Sequence, residues 1–497
     1  MNRVSQKLMQ KWASYGSRFL PFADAATPEL PLGKLLRLSL FQVSVGMALV
    51  LLVGTLNRVM IVELEVPASL VGVMISLPLI FAPFRALIGF KSDVHQSALG
   101  WRRVPFIWRG TMIQFGGLAI MPFALLVLSG GGESGNYPVI VGHFGAGIAF
   151  LLVGAGLHMV QTVGLALATD LAPVESQPKV VGLMYVMLLF GMIFSAFIFG
   201  AVLSDFSPLR LVQVIQGCAV ATIILNVIAL WKMESRATAR KAVVRERTYF
   251  QDAWNSFIAG ENAFRRLLAV GIGTMAFSME DVLLEPYGGQ ILHLTVGSTT
   301  KLTATLAVGG LLGFGLASRV LSRGFDPLRM ATYGALVGLP AFLAVIFAAP
   351  LSSPALFALG TLLIGFGGGL FGHGTLTATM QMAPKSQTGL ALGAWGAVQA
   401  SAAGVAIALG GIIRDLVAAH PAAVNLGPAT GYIAVYALEV ILLVAALIAM
   451  FPLLRRGVPR RDNLREHLQG DLQETLKETL KDRLDVPATP AVVPSSN

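Results

Sequence analysis

Gly154-Ala155-Gly156-Leu157-His158, running on to Asp170-Leu171-Ala172-Pro173, returns 211 positions later as Gly365-Phe366-Gly367-Gly368-Gly369, running on to Gln381-Met382-Ala383-Pro384. Gly182 and Gly393 extend the match at the same offset. Earlier in each half, Gly89 and Arg103 pair with Gly315 and Arg329 at an offset of 226. The two offsets differ by about the length of an extra loop near residues 129–139. An apolar segment that recurs with its flanking Asp/Gln-x-Ala-Pro stop predicts a chain built from two related helical halves.

Around this repeat the composition is that of a membrane protein. The chain has 497 residues, 55% hydrophobic and only 12% charged, with a mean hydropathy of +0.72. Soluble domains carry roughly 25% charged residues, so a water-soluble enzyme of this length is excluded. Cys218 is the single cysteine, which rules out an internal disulfide and a Cys-based zinc or iron–sulfur site. The first 34 residues are polar and do not read as a cleavable signal peptide. The net charge of +10 is explained by orientation in the membrane, with no nucleic-acid partner required.

A spanning helix needs about 20 apolar residues, and twelve such runs are legible. They cover 38–60, 68–90, 104–128, 140–169, 180–203, 209–231, 267–285, 299–320, 328–349, 355–382, 389–413 and 431–454. Pro67, Pro138, Pro173, Pro208, Pro286, Pro327, Pro354 and Pro384 fall where helices must start or stop. Of the 36 Lys and Arg residues, Arg58, Arg210, Lys301 and Arg414 fall on one side. The rest fall on the other, which the positive-inside rule makes cytoplasmic together with both termini. The expected organisation is a cytoplasmic segment 1–37, a six-helix bundle 38–232, a cytoplasmic loop 233–266, a second bundle 267–454 and a cytoplasmic tail 455–497. The fold class is all-α and multi-pass, with two pseudo-symmetric six-helix halves. Parallel six-helix repeats with a site at their interface describe the major facilitator fold.

Gly89-Phe-Lys-Ser-Asp93 followed by Gly100-Trp101-Arg102-Arg103 resembles the facilitator loop G-x-x-x-D-(R/K)-x-G-R-R. Asp93 with Arg102 and Arg103 is expected to form charge-assisted hydrogen bonds across the helix ends. Gly100 follows Asp93 by seven positions instead of three, and Trp101 is interposed, so this loop departs from an ordinary transporter latch.

Longer stretches are more specific: Leu56-Asn-Arg-Val-Met-Ile-Val-Glu-Leu64, Ala82-Pro-Phe-Arg-Ala-Leu-Ile-Gly-Phe90, Gly100-Trp-Arg-Arg-Val-Pro105, Leu157-His-Met-Val-Gln-Thr162 through Asp170, and Asp281-Val-Leu-Leu-Glu-Pro-Tyr-Gly288. Over residues 35–454 the chain resembles the PucC/LhaA family, the bacteriochlorophyll-delivery branch of the major facilitators. The resemblance leans towards LhaA, which serves the core light-harvesting 1 antenna. It implies a light-harvesting assembly factor in the inner membrane of a phototrophic bacterium. Such a factor is expected to bring non-covalently held bacteriochlorophyll to antenna α and β polypeptides or to chaperone their oligomerisation, with pigment-biosynthesis enzymes, membrane insertion machinery and membrane lipids as further partners. It implies no enzyme, and no phosphate loop, nucleophile–base pair or metal cluster stands at usable spacing. Two rival readings stay open: a secondary transporter of a small solute or tetrapyrrole, and a pigment-free scaffold for antenna subunits.

Ionisable and imidazole groups inside a membrane have a reason to be there. His158 and His373 lie on the repeat-related helices, His373 aligning with Thr162. A neutral imidazole is a good axial ligand for a chlorin magnesium, its second nitrogen being held by a polar neighbour. Gln161 is that neighbour for His158, and Thr375 or Thr377 for His373; the alternative is a histidine that hydrogen-bonds a neighbouring helix. Helix ten packs Gly365, Gly367, Gly368, Gly369, Gly372 and Gly374 into ten residues, which suits close helix packing or, at positions such as Gly368 and Gly372, a slot for a flat macrocycle. Glu439, deep in helix twelve, is a structural group, half of a polar pair, or part of a proton relay.

Aligning Asn57-Arg58-Val59 with Glu280-Asp281-Val282 puts Arg58 and Asp281 at matched places on helices one and seven, with Glu285 one turn on. An ion pair closing the periplasmic side is expected, the alternative being a local pair of Arg58 with Glu63. Val4, Leu8, Trp12, Tyr15 and Phe19 suggest a basic surface helix. Leu464, Leu468, Leu472, Leu476, Leu480 and Leu484 suggest a partner-docking tail. The charge asymmetry predicts that a reporter fused after Asn497 reads as cytoplasmic and one inserted near Gly132 as periplasmic. The reverse pattern in a paired alkaline phosphatase and fluorescent-protein assay contradicts the topology.

Overall fold

The computed structural model describes residues 25–27, 30–80, 88, 91–92, 97, 100–130, 132–173, 176–234, 262–382, 388–421 and 426–455. The chain is helical throughout these residues. We label the helices α1 (Leu32–Glu63), α2 (Ala68–Ile80), α3 (Val104–Leu128), α4 (Val139–Leu171), α5 (Gln177–Val202) and α6 (Pro208–Leu230) in the first half. The second half holds α7 (Ala263–Gln290), α8 (Val296–Leu321), α9 (Pro327–Ala348), α10 (Pro354–Met382), α11 (Thr388–Ala419) and α12 (Thr430–Arg455). Among the described residues, eleven helices are long and apolar enough to cross a membrane. The twelfth, α2, is described only over its first thirteen residues. Apart from Ile88, Lys91 and Ser92, the remainder of helix two lies outside the described residues, as do Asp93, most of the loop between halves, the surface helix expected near Trp12 and the leucine-rich tail.

Prolines mark the helix starts as expected. Pro208, Pro327 and Pro354 each stand at the first helical position, where the missing N–H is not needed. Ser207 and Asp326 then cap α6 and α9 by accepting backbone N–H bonds from Arg210 and from Leu328 and Arg329.

Two helices depart from regular form. α1 is π-helical over Val50–Leu56 and Val59–Glu63; such wide turns are rare and favour functional positions. It is also the most enclosed span, which places it at the centre of the bundle. α7 does not end at Pro286 as its proline suggested. It is interrupted upstream, between Ala276 and Leu284, and restarts as Leu284–Gln290. Pro286 falls in the first turn of that restarted segment, the one place in a helix where proline takes no hydrogen bond. A continuous helix would set its ring against the carbonyl of Val282.

Three polar residues inside the first half are linked by hydrogen bonds. Asn226 of α6 accepts from the Ser44 hydroxyl of α1 at 2.9 Å and donates to Thr111 of α3 at 2.9 Å. In the second half, Tyr287 packs against Phe357, Tyr432 and Tyr436 with ring centroids 5.3–5.5 Å apart, its hydroxyl donating to the Val345 carbonyl. The halves meet at the end of the bundle where α1 turns into α2. There α2 packs on α11 and α5 on α8. A Cβ at Gly297 would stand 2.5 Å from the Gly200 carbonyl oxygen, and one at Gly72 would stand 2.9 Å from that of Ile407. Gly411 lies against the Ala68 carbonyl in the same way. The Ser69 amide donates to Asp415 of α11 at 2.7 Å, so one half caps a helix of the other.

The chain divides into a compact unit, Met1–Met450, which contains both halves, and a second, Phe451–Asn497, in which Phe451–Arg455 is described and helical.

Because hydrocarbon solvent supplies little drive to join helices, backbone contact through small residues has to supply it. Gly411→Val is therefore expected to destabilise the protein by roughly 1–3 kcal/mol through overpacking. Gly217→Ala, where an added Cβ meets nothing within 4 Å, is expected to be neutral or stabilising by up to ~1 kcal/mol. Melting temperatures in detergent check the pair, and equal values contradict the account.

Candidate functional site

α10 uses its glycines for two purposes. Gly365 and Gly369 lie against the Leu306 and Gly310 carbonyls of α8, while Gly367 and Gly374 lie against the Gly334 carbonyl and the Ala331 amide of α9. These four are packing glycines, where a Cβ would push a neighbouring backbone away. Gly368 has only ordinary contact with the Phe277 ring, and at Gly372 a Cβ would meet nothing within 4 Å. Beside that open position, the His373 ring lies 4.2 Å from the Phe314 ring, centroid to centroid, at 54°. Its Nδ1 is enclosed and makes no hydrogen bond.

Thr375 does not hold this imidazole. Its hydroxyl donates to the Phe371 carbonyl at 2.9 Å and accepts from Trp395 Nε1 of α11 at 3.2 Å. A threonine in a helix reaches its own preceding turn more readily than a neighbouring ring. His158 and Gln161 stand half-buried on α4, which packs mainly on α3, whereas α10 packs mainly on α8 and α9. The two histidines are separate candidates, each within its own half.

The expected Arg58–Asp281 ion pair is not formed. The Arg58 guanidinium pairs with both carboxylate oxygens of Glu63, five residues on, and is nearly enclosed. The π-helical turns between them bring this spacing within reach. Arg58 still bridges the halves, donating to the Leu294 carbonyl at 3.2 Å. It lies flat over Gly289 of α7, where a Cβ would stand 2.8 Å from its Cζ. Helices one and seven meet as the alignment required, but through Asn57, whose side-chain amide donates to the Asp281 carbonyl at 3.0 Å. Glu285 turns instead towards Gly54 of α1 and accepts from Thr303 of α8. Glu439 is fully buried on α12 beside Glu280.

At the α2–α3 end, Arg102 and Arg103 make charge-assisted bonds with Asp170 of α4, Arg103 Nε at 3.0 Å, while the partner expected from the sequence, Asp93, lies outside the described residues. Arg103 also donates to the Ser92 hydroxyl at 2.5 Å. Glu234 went unread in the sequence. Its carboxylate accepts from the backbone amides of Arg102, Arg103 and Val104 at 2.8, 3.0 and 2.9 Å, capping α3 from beyond α6. A lone Glu within a basic stretch carries no local signal for a cap 130 residues away.

The PUCC protein family matches residues 55–458. A relative from Rhodovulum sulfidophilum named Protein PucC is 63% identical over 428 residues, covering 86% of this chain and 94% of the relative. Another Protein PucC, from Cereibacter sphaeroides, is 60% identical and covers 93% and 100%. The leaning towards LhaA finds no support in these names. More distant is the bacteriochlorophyll synthase 44.5 kDa chain of Rhodobacter capsulatus, 28% identical with 86% and 97% covered. Among solved structures, a bacterial homolog of the human lysosomal transporter Spinster, in an inward-facing conformation, aligns with a TM-score of 0.62 at 15% identity, covering 84% of this chain and 95% of the other. At that identity the likeness speaks for the fold, that of the major facilitator transporters. With the twin six-helix halves and the family match over most of its length, the chain is a multi-pass membrane protein of the PUCC family.

Proposed function

We propose that this protein is a non-enzymatic assembly factor that holds bacteriochlorophyll for transfer to antenna α and β polypeptides in the inner membrane of a phototrophic bacterium. The observation that carries the reading is His373. It presents a buried ring nitrogen without a hydrogen-bond partner, next to the aromatic face of Phe314 and the open position at Gly372. An unpaired polar atom in a lipid-embedded interior costs on the order of 1–3 kcal/mol, which binding of a ligand at that atom removes. The donor set fits the pigment: an imidazole for its magnesium, an aromatic ring for its flat macrocycle and a glycine where a side chain would obstruct it. When bound, the pigment supplies a Lewis-acidic magnesium to this imidazole and light absorption to the antenna. The chain supplies the rest. Phe314 fixes the ring plane of His373, the four packing glycines hold α10 against α8 and α9, and the apolar interior excludes competing water. The name of the R. capsulatus relative, a bacteriochlorophyll synthase chain, is consistent with the pigment class.

The reading is tested in a strain that lacks the protein and carries variants in its place. His373→Leu is expected to lower the near-infrared antenna bands of whole cells severalfold at unchanged levels of the variant in the membrane. His158→Leu, assayed in parallel, reports whether the first half contributes. Wild-type antenna levels in the His373 variant contradict the proposed ligand. Solute uptake by the purified protein in proteoliposomes contradicts the assembly reading itself.

A further inference from the structure

The interruption of α7 carries acidic side chains into the interior. Glu280 and Asp281 lie in the single 3-10 turn Glu280–Val282 that bridges its two helical parts. Glu280 is 2% exposed, and Glu439 of α12 is 0% exposed. The Glu439 carboxyl faces the Glu280 backbone. Tyr436, also 0% exposed, lies one turn earlier than Glu439 on the same face of α12. Glu280 Oε2 and the Tyr436 hydroxyl have no hydrogen-bond partner, and the Glu439 carboxyl, close as it is to the Glu280 backbone amide, makes no well-aligned bond.

The surrounding groups are committed elsewhere. The Tyr287 hydroxyl donates to Val345 O, and that of Tyr432 donates to Gln290 at 2.6 Å. On α11, Arg414 pairs with Asp415 and donates to Gln290. On α1, Arg58 is held by Glu63 and Leu294. The described part of α2, which also packs on the turn, carries no charged residue. Asp281 adds a further acid beside the pair and no compensating charge. Among the described residues, no ion pair involves Glu280, Asp281 or Glu439.

Neighbouring carboxylates with neither water nor a cation are costly in a membrane interior. Interrupted membrane helices are a recurrent frame for coupling-ion sites. No cluster of three metal-ligating side chains forms among the described residues, so the place offers two carboxyls and a hydroxyl and lacks the larger carboxylate set typical of a divalent-ion site. We propose that Glu280, Glu439 and the Tyr436 hydroxyl form a binding site for one monovalent cation, a proton or Na+, which the two carboxyls share, halving the charge of the pair, and which fastens the α7 interruption to α12. The site is separate from the pigment reading, and its test needs no pigment.

The full-length protein is purified in detergent and its melting temperature followed in NaCl against choline chloride, at fixed pH and ionic strength. Its infrared spectrum is examined for the C=O stretch of a protonated carboxylic acid. A saturable rise in melting temperature with Na+ identifies Na+. A carboxylic acid band without a Na+ response identifies the proton. In either case Glu439→Gln and Glu280→Gln, which keep the shape of the side chain, are each expected to abolish the signal. Tyr436→Phe keeps the ring packing and so reports on binding apart from folding. It is expected to weaken Na+ binding about tenfold, or to move the acid band. A protein with neither signal overturns the site, as does a signal that survives both Gln substitutions.

Discussion

Lipid offers a helix no hydrogen bonds and no hydrophobic reward for leaving it, and the whole molecule is arranged around that constraint. Helices join where glycines let one backbone lie on another. Gly297 against Gly200, Gly72 and Gly411 against α2–α11 partners, and four glycines of α10 against α8 and α9 are all such places. Where backbones touch in this way, side chains contribute caps instead of bulk. Asp415 caps α2 from the other half, and Glu234 caps α3 from beyond α6. The positions left over, without a close neighbour, are then conspicuous. Gly372 beside His373 is one of them.

The two halves share a fold but differ in their charges. In the first, Arg103 is enclosed by Asp170 and Ser92 and lies next to the Glu234 cap. Its repeat partner Arg329 is largely exposed and, among the described residues, pairs with Asp326 at 3.8 Å. The 211-residue offset puts Gln381 where the first half has Asp170, so the second half lacks the carboxylate that would complete the same latch. Conversely, among the described residues, it is the second half that carries the helix interrupted by a 3-10 turn and the buried acids at Glu280 and Glu439. The two halves share the frame and distribute their charged groups differently.

Much of the frame was legible in the residues, because membrane spans announce themselves by length, hydropathy and bounding prolines. α3 ends where hydropathy placed it, and most other boundaries agree within a few residues. Long-range polar contacts were harder. Arg58 had both Glu63 and Asp281 as opposite charges within plausible reach, and only the π-helical course of α1 decides between them. Pro286 was correctly seen as a breaker, but a proline tolerated in a first turn breaks the helix before itself, not at itself. Of the glycines in α10, sequence named Gly368 and Gly372 for a slot, and those two lack a neighbouring backbone. Thr375 was wrongly read as a partner of His373, since intrahelical back-bonding leaves no sequence mark.

The central claim, that this protein holds bacteriochlorophyll through its own interior, is tested most directly by the near-infrared absorption of the protein purified from phototrophic membranes and freed of antenna polypeptides. The account predicts a stoichiometric bacteriochlorophyll band that persists through size-exclusion chromatography. A protein that is colourless once the antenna polypeptides are removed would contradict it and leave a scaffold without pigment.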